Sequence, residues 1–254
     1  MATSLDQKLV DAAFVGAARQ VASLLRKGAA PNSVGDGGST PVYVAALRED
    51  PAVVRLLLEA GADPNRESTG DGEGTPLCAA ASWGKSEVIH ELLAHGADPN
   101  QRESGVGGSA GYSPLLWASR GGHHETARML LEVGADPNAD AEGDTPLCFA
   151  VEHGSVAVVR VLLDHGADPR VANSAGRTPL EIAEGWASTD VEAELRRRAG
   201  TEDGQDVRCT RTLRPGDADA IVLEVGEVGS AWAEYEHQTG DREIAELLRR
   251  HLEA

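Results

Sequence analysis

Residues 75–100 read TPLCAAASWGKSEVIHELLAHGADPN, and versions of this stretch recur along a chain of 254 residues. One marker, GADPN or a close variant, begins at Gly28, Gly61, Gly96, Gly134 and Gly166. A second marker, TPL or a close variant, begins at Thr40, Thr75, Ser113, Thr145 and Thr178. Self-similarity at a period of roughly 20–50 residues is typical of repeat proteins. The markers therefore predict a repeat architecture.

The spacing of the two markers indicates which part of each repeat is packed. From the Thr or Ser of a TPL-like motif to the next GADPN-like glycine, the separation is 21 residues in four repeats. From the end of a GADPN-like motif to the next Thr or Ser, the separation varies from 7 to 13 residues. Loops accept insertions that packed helices do not. The pattern predicts a helix pair of fixed length followed by an exposed connector of variable length.

The residues inside the repeat support this prediction. A Thr or Ser can cap a helix, and Pro at the next position suits the first helical turn. A break such as Gly84 then precedes a second apolar run with helical spacing, Val88, Ile89, Leu92 and Leu93. The Gly of GADPN suits the left-handed position that ends a helix. Each unit is therefore expected to be helix, turn, helix, turn.

Two segments, Thr75–Ala81 with Gly84 and Thr145–Ala150 with Gly154, resemble ankyrin repeats, whose signature includes T-P-L-H-x-A. The resemblance implies an all-α solenoid of helix-turn-helix units with projecting turns. The sequence departs from the family pattern where His follows Leu, because that position holds Tyr43, Cys78, Leu116, Cys148 and Glu181. The hydrogen bonds that the family's histidine makes are therefore not expected in the same form.

About six repeats are expected in an ankyrin repeat domain that covers residues 1–200. The first and last repeats lack parts of the pattern, as capping repeats of solenoids do. The predicted boundaries are 5–37 for the N-terminal capping repeat, 38–72, 73–110, 111–142 and 143–175 for the next four, and 176–200 for the C-terminal repeat.

Residues 201–254 break the pattern and form an acidic extension with 13 Asp and Glu against 6 Arg. Val207 to Leu213 and Ile221 to Val225 predict a β-hairpin, and the segment from Gly240 resembles a second ankyrin helix that would cap the stack. Trp232 lies in a stretch without Lys or Arg, which could be a docking patch for a basic partner. We favour a solvated hairpin whose tryptophan packs on the last helices.

Composition excludes several classes of function. The net charge is −18, and the only basic run is Arg196 to Arg198, so a nucleic-acid partner is not expected. No stretch reaches the length of a membrane span, and the N-terminus does not read as a secretory signal. The three cysteines are far apart and do not indicate a disulfide framework. A monomeric cytoplasmic protein without a membrane partner is expected.

The sequence contains no constellation that predicts catalysis, so the protein is not expected to be an enzyme and no cofactor is expected. Cys78 and Cys148 occupy the same position in two repeats and are expected to be small buried packing residues. The adjacent His123 and His124 point apart on a helix, so no metal site is predicted. His123 falls where the ankyrin pattern has its usual Gly-His, which favours a structural role.

The resemblance implies binding of a protein partner through the concave ankyrin groove. In the family, contacts come from the connector tips, the residue before the Thr and the two residues before the glycine that closes the first helix. Trp117 and Phe149 lie earlier in the first helix, deeper in the repeat, and are expected to pack. The long connector from Gln101 to Tyr112 is interpreted as a finger over a ligand or as a tolerated insertion. Carried onto this sequence, the candidate binding residues are Leu47, Arg48, Trp83, Tyr112, Arg120, His153, Arg177 and Trp186.

These observations predict a non-catalytic interaction module or adaptor. The alternative is a stoichiometric inhibitor or regulator of a partner protein that uses the groove or the acidic tail. The sequence does not name the partner, because the repeat framework residues are set by the fold.

Overall fold

A computed structural model describes the chain over residues 4–70, 74–104, 111–188, 206–212, 220–226, 233–238 and 240–253. The chain divides into two compact units, Met1–Asp136 and Pro137–Ala254. The end of the predicted sixth repeat, the linker after it, the turn around Gly216 and Trp232 lie outside the described residues, as do 105–110 of the long connector.

The first unit is a stack of four helix pairs. Each first helix packs against the first helix of the next pair, and each second helix packs against the next second helix. This stack is the predicted all-α solenoid. The pairs are α1 (Leu5–Phe14) with α2 (Ala18–Arg26), α3 (Pro41–Leu47) with α4 (Pro51–Glu59), α5 (Pro76–Ser82) with α6 (Ser86–Ala94), and α7 (Pro114–Arg120) with α8 (His124–Glu132).

The first helices begin where the TPL-like motifs predict. The hydroxyls of Thr40, Thr75 and Ser113 each accept a hydrogen bond from the backbone N–H three residues later, and proline fills the next position. These caps satisfy backbone donors that a helix N-terminus otherwise leaves without a partner. The prediction that Thr-Pro or Ser-Pro starts a helix is confirmed.

The core between the helices consists of small and aliphatic side chains. Leu57, Leu77, Leu92, Leu115 and Leu130 are all buried to 2% exposure or less in the first unit. Alanines between them, such as those of α5, are also buried, which allows the helices to approach closely. Each fully buried leucine contributes roughly 1.5–3 kcal/mol to folding.

An asparagine clamp joins successive connectors of the first unit, and its members are Asn32, Asn65 and Asn100. The side-chain amide of Asn65 donates to the carbonyl of Gly96 at 3.1 Å, and its oxygen accepts from the N–H of Asp98 at 2.7 Å. Asn32 and Asn100 make the same two bonds to the next repeat. The final residue of the GADPN marker is therefore a contact between repeats.

Among its described residues, the second unit has three helices with repeat sequence, α9 (Pro146–His153), α10 (Val156–Asp164) and α11 (Pro179–Ala187). They pack together through buried residues that include Leu147, Leu162 and Ile182. The N-terminus of α11 has a full capping box between Thr178 and Glu181. Hydrogen bonding to Thr178 lowers the pKa of the Glu181 carboxyl.

The C-terminal part of the second unit contains one strand more than the sequence indicates. β1 (Asp206–Thr212), β2 (Ala220–Gly226) and β3 (Ala233–Gln238) form an antiparallel sheet in that order. The first two strands pair as a hairpin with Val207 opposite Val225. β3 was not predicted, because Ala233 and Tyr235 are the only apolar residues among its six, too few to mark a strand.

The last helix, α12 (Asp241–Glu253), packs against α10 and α11. Its apolar face buries Ile244, Ala245 and Leu248, and each of them is at most 2% exposed. Arg160 and Glu243 form an ion pair at 2.9 Å, and Arg249 and Glu184 form another at 2.6 Å. The segment therefore occupies the place of a capping element on α11.

Candidate functional site

The candidate site of the first unit lies where the first helices end. These helices stack in the order α1, α3, α5 and α7. Their ends carry Phe14, Arg48, Trp83 and Arg120, which we call the helix-end row. Trp83 is 65% exposed and Phe14 is 45% exposed, while both arginines are also exposed.

Arg48 is held against the preceding repeat. Its guanidinium lies 4.3 Å from the centre of the Phe14 ring, and its Nε donates to the Phe14 carbonyl at 3.0 Å. The next residue, Glu49, has a φ of 58°, a left-handed conformation that favours glycine. The Glu49 carboxylate accepts a hydrogen bond from Lys85 at 2.5 Å. This pair neutralises the carboxylate that lies closest to Arg48 in the sequence.

Arg120 belongs to an aromatic cluster with Tyr112 and Trp117. The two rings have centroids 5.0 Å apart and planes tilted by 57°, a favourable arrangement for an aromatic pair. The Arg120 guanidinium lies 5.8 Å from the Tyr112 ring and 5.7 Å from the Trp117 ring. Trp117, which was expected to be a packing residue, is half-buried and contacts both Tyr112 and Arg120. Tyr112 is half-buried as well.

A carboxylate supports the aromatic cluster from within the repeat. Trp117 Nε1 donates to Glu103 Oε1 at 2.6 Å, and the backbone N–H of Glu103 donates to the Tyr112 carbonyl at 3.2 Å. A Cβ on Gly111 would lie 1.7 Å from the Glu103 carbonyl oxygen, so this position requires glycine. Burial raises the pKa of the Glu103 carboxyl, and the charge of Glu67 adds to the effect.

We predict that Glu103→Gln stabilises the protein at neutral pH. Because the folded-state pKa is raised, the stability that protonation of Glu103 provides is present below about pH 4.3 and is lost as pH rises through the folded-state pKa. A glutamine keeps an oxygen acceptor for the Trp117 N–H and carries no charge. The melting temperature at pH 7 is expected to rise by about 2 °C, as measured by circular dichroism.

The pH dependence separates this effect from a general change in packing. The gain from Glu103→Gln is expected to shrink toward pH 4, where the wild-type carboxyl is also protonated. Glu132→Gln, at an exposed position of α8, is the matched control and is expected to show no such dependence. A lower melting temperature for Glu103→Gln at pH 7 would mean that the ionised carboxylate stabilises the fold.

His123 has a structural position between two repeats. Its Nε2 lies 3.1 Å from the Ser82 carbonyl oxygen, within hydrogen-bonding distance. A Cβ on Gly84, whose φ is 64°, would lie 2.7 Å from His123 Nδ1. The imidazole therefore fits against the turn of the preceding repeat, as the sequence analysis favoured. Across the described ranges, no group of three or more His, Cys, Asp or Glu side chains could hold a metal ion.

Cys78 and Cys148 are both 1% exposed and make no disulfide. Burial raises the pKa of each thiol, so neither residue is a ready nucleophile. The Cys78 sulfur lies 3.5 Å from the Tyr112 carbonyl oxygen in the next connector. The prediction that both are buried packing residues is confirmed.

The candidate residues of the second unit differ in exposure. His153 is half-buried, and Arg177 is exposed with its guanidinium 3.9 Å from the Glu152 carboxylate. Trp186 is only 7% exposed, so its expected place on an open binding surface is corrected. Trp186 lies near the end of α11, the helix against which α12 packs. Phe149 is buried, as expected.

In the first unit the structure brings Arg48, Trp83 and Arg120 into the helix-end row and leaves Leu47 half-buried beside Arg48. Sequence reasoning missed Phe14 because the first repeat lacks the TPL marker. Gly16, two residues after Phe14, has a φ of 70° and ends the first helix of its repeat as Gly84 does in the third repeat. This glycine was the sequence signal for the helix end at Phe14. Glu103 carried no sequence signal, because its partner Trp117 lies in the next repeat.

Comparison with known proteins supports a repeat architecture of one family. A family model described as "Ankyrin repeats (3 copies)" matches residues 9–103, 68–141, 102–173 and 135–191. The crystal structure of the human ASB11 ankyrin repeat domain is similar, with a TM-score of 0.62 and 29% sequence identity. That match covers 76% of this chain and 83% of the other chain. No curated protein matches the chain significantly. Within the described residues, no helix is long and apolar enough to cross a membrane.

Proposed function

Because this chain belongs to the ankyrin repeat family, whose members are generally protein–protein interaction modules, we propose that it is a non-catalytic adaptor. It binds a protein partner through the helix-end row of its first unit. Trp83 carries the proposal, because its indole is 65% exposed at the end of α5, the helix that packs against both α3, whose C-cap is Arg48, and α7, which ends at Arg120. Tryptophan and arginine are the residue types most enriched at binding hot spots.

The order of the row also supports this function. The arginines are already oriented by ring contacts, Arg48 by Phe14 and Arg120 by the aromatic cluster. Side chains that are ordered before binding lose less conformational entropy when a partner binds. The short helices beneath them are held by capped N-termini and a buried aliphatic core. The row is therefore a preorganised surface on a rigid support.

We expect Trp83→Ala to weaken partner binding by about 30-fold or more, because a hot-spot tryptophan contributes about 2 kcal/mol or more. Full-length wild type and variant are used to capture proteins from a lysate of the source cells. The affinity of the captured partner is then measured by calorimetry. Folding is checked by circular dichroism, and no loss is expected because the indole is mostly exposed.

Val133→Ala is the matched control, because Val133 is also a large exposed apolar residue but follows a second helix, α8. It is expected to leave the affinity unchanged. A partner bound equally by wild type and by Trp83→Ala would show that recognition lies outside the helix-end row. Loss of binding in both variants would indicate a general effect on the fold.

A further inference from the structure

The helix-end row carries positive charge on a strongly acidic protein. The chain has a net charge of −18, yet the row presents Arg48 and Arg120. Within the described residues, no carboxylate lies within 4 Å of either guanidinium, whereas Arg55, Lys85 and Arg128 of the same unit all have acidic partners. The two arginines of the row are therefore available to an external anion.

The ring contacts of the arginines leave their carboxylate-binding groups accessible. A guanidinium that lies over an aromatic ring uses its face, while its N–H donors point outward in the plane. Arg48 uses only its Nε for the Phe14 carbonyl in the bonds described above. A planar fork of N–H donors is the group that binds a carboxylate through two parallel hydrogen bonds.

Three carboxylates close to the row already accept hydrogen bonds, and that of Asp50 accepts from the backbone N–H of Val53. Glu49 accepts from Lys85, and Glu103 accepts from the Trp117 indole. Lys85 itself is mostly buried, with 24% of its side chain exposed, and its charge is balanced by that of Glu49. A negative partner group at the row thus meets two arginines and carboxylates that already accept hydrogen bonds.

The distance between the two arginines of the row determines how long a bound segment must be to reach both. Helices α3, α5 and α7 pack in succession and carry Arg48, Trp83 and Arg120 at their C-terminal ends, so the two arginines are two helix layers apart. Packed helices lie roughly 8–10 Å apart, which gives roughly 16–20 Å between the two arginines. An extended chain advances about 3.3 Å per residue. About five or six residues of an extended segment would cover this distance.

We propose that the row binds an extended acidic segment of the protein partner. The segment carries two carboxylates about five or six residues apart, one for Arg48 and one for Arg120. An apolar side chain between the two carboxylates packs on Trp83. This inference rests on the proposed function, because it names the chemistry of the partner that the same row recognises.

The test uses a library of random twelve-residue peptides selected on the full-length protein. The enriched peptides are expected to contain two Asp or Glu residues at this spacing with an apolar residue between them. One synthetic peptide of this kind is then titrated against Arg48→Glu, Arg120→Glu and the control Arg26→Glu. Arg26 is exposed at the end of α2 and gives the same change in charge away from the row. Each row variant is expected to weaken binding at least tenfold, and the control by less than twofold.

A reciprocal exchange of charge gives a second readout. A peptide in which both carboxylates are replaced by lysines is expected to bind the Arg48→Glu, Arg120→Glu double variant better than it binds wild type. This gain cannot arise from damage to the fold. The inference is overturned if the enriched peptides are neutral or basic, if none is enriched, or if Arg26→Glu weakens binding as much as the row variants do.

The outcomes also separate this inference from the proposed function. If the enriched peptides are neutral and lose affinity for the Trp83→Ala variant, the inference that the bound segment is acidic is overturned. The proposal that the row is the binding surface would then still stand. Enriched peptides that bind independently of Trp83, Arg48 and Arg120 would overturn both. A wild-type dimer in sedimentation experiments that Arg120→Glu dissociates would identify a second copy of this chain as the occupant and overturn the inference.

Discussion

Leu248→Ala is expected to lower the free energy of unfolding by about 3 kcal/mol. Leu248 is fully buried on α12, and this helix packs against α10 and α11. Removing the side chain leaves a cavity at the centre of the contact. The two ion pairs at the same contact, Arg160–Glu243 and Arg249–Glu184, are about half-exposed and contribute little in comparison. The loss is measured by urea denaturation of the full-length protein.

Leu247→Ala is the matched control for this prediction. Leu247 is the preceding residue of the same helix and is only half-buried, so the change in helix propensity is identical. We expect it to cost about 1 kcal/mol or less. Equal losses for the two variants would contradict a specific apolar contact of α12. A large and selective loss for Leu248→Ala would support our proposal that the acidic extension acts as a cap of the repeats.

Asn65→Ala is expected to lower the free energy of unfolding by about 2 kcal/mol, because two hydrogen bonds of about 1 kcal/mol each are lost. Both bonds connect one repeat to the next, through the Gly96 carbonyl and the Asp98 N–H. A repeat protein is stabilised largely by the interfaces between neighbouring units. The variant should therefore also broaden the urea transition of the full-length protein, because coupling across this interface is weakened.

Arg170→Ala is the control for the asparagine clamp. Arg170 occupies the same position of the last GADPN-like motif, and its guanidinium lies 3.8 Å from the Asp168 carboxylate on the surface. Loss of this exposed pair is expected to change stability by less than about 0.5 kcal/mol. Asn65→Asp should give an intermediate loss, because the carboxylate keeps the acceptor for Asp98 and loses the donor to Gly96. If Asn65→Ala and Arg170→Ala have the same effect, the clamp contributes nothing to stability.

The repeat fold could be predicted because its determinants are local. A capping hydroxyl acts on a backbone N–H three residues away, as Thr75 does on Cys78, and the glycine that ends a helix acts at its own position. These interactions recur at a fixed spacing, so a single sequence reveals them. Sequence reasoning did not identify the asparagine clamp, because its partners lie about 30 residues away in the next repeat.

The exposure of individual tryptophans could not be predicted from their positions in the repeat. Trp83 and Trp186 were assigned to the same position beside the end of a first helix, yet one is 65% exposed and the other is 7% exposed. The two sites differ locally, because Trp83 is the C-cap of α5 before Gly84 whereas Trp186 lies within α11 before Ala187. They also differ in packing, because α12 packs against α11 in the second unit.

The sequence by itself determined the helix pairs, their caps, their turns and the family, because each depends on contacts within one repeat or on a periodic pattern. The tertiary structure decided which side chains are exposed together in the helix-end row. Phe14 contacts Arg48 of the next repeat, and Trp117 donates a hydrogen bond to Glu103 of the preceding connector. Such contacts join residues of different segments, and the burial of a side chain depends on the elements that pack against it. Both the contacts and the burial are therefore fixed only when each unit has folded.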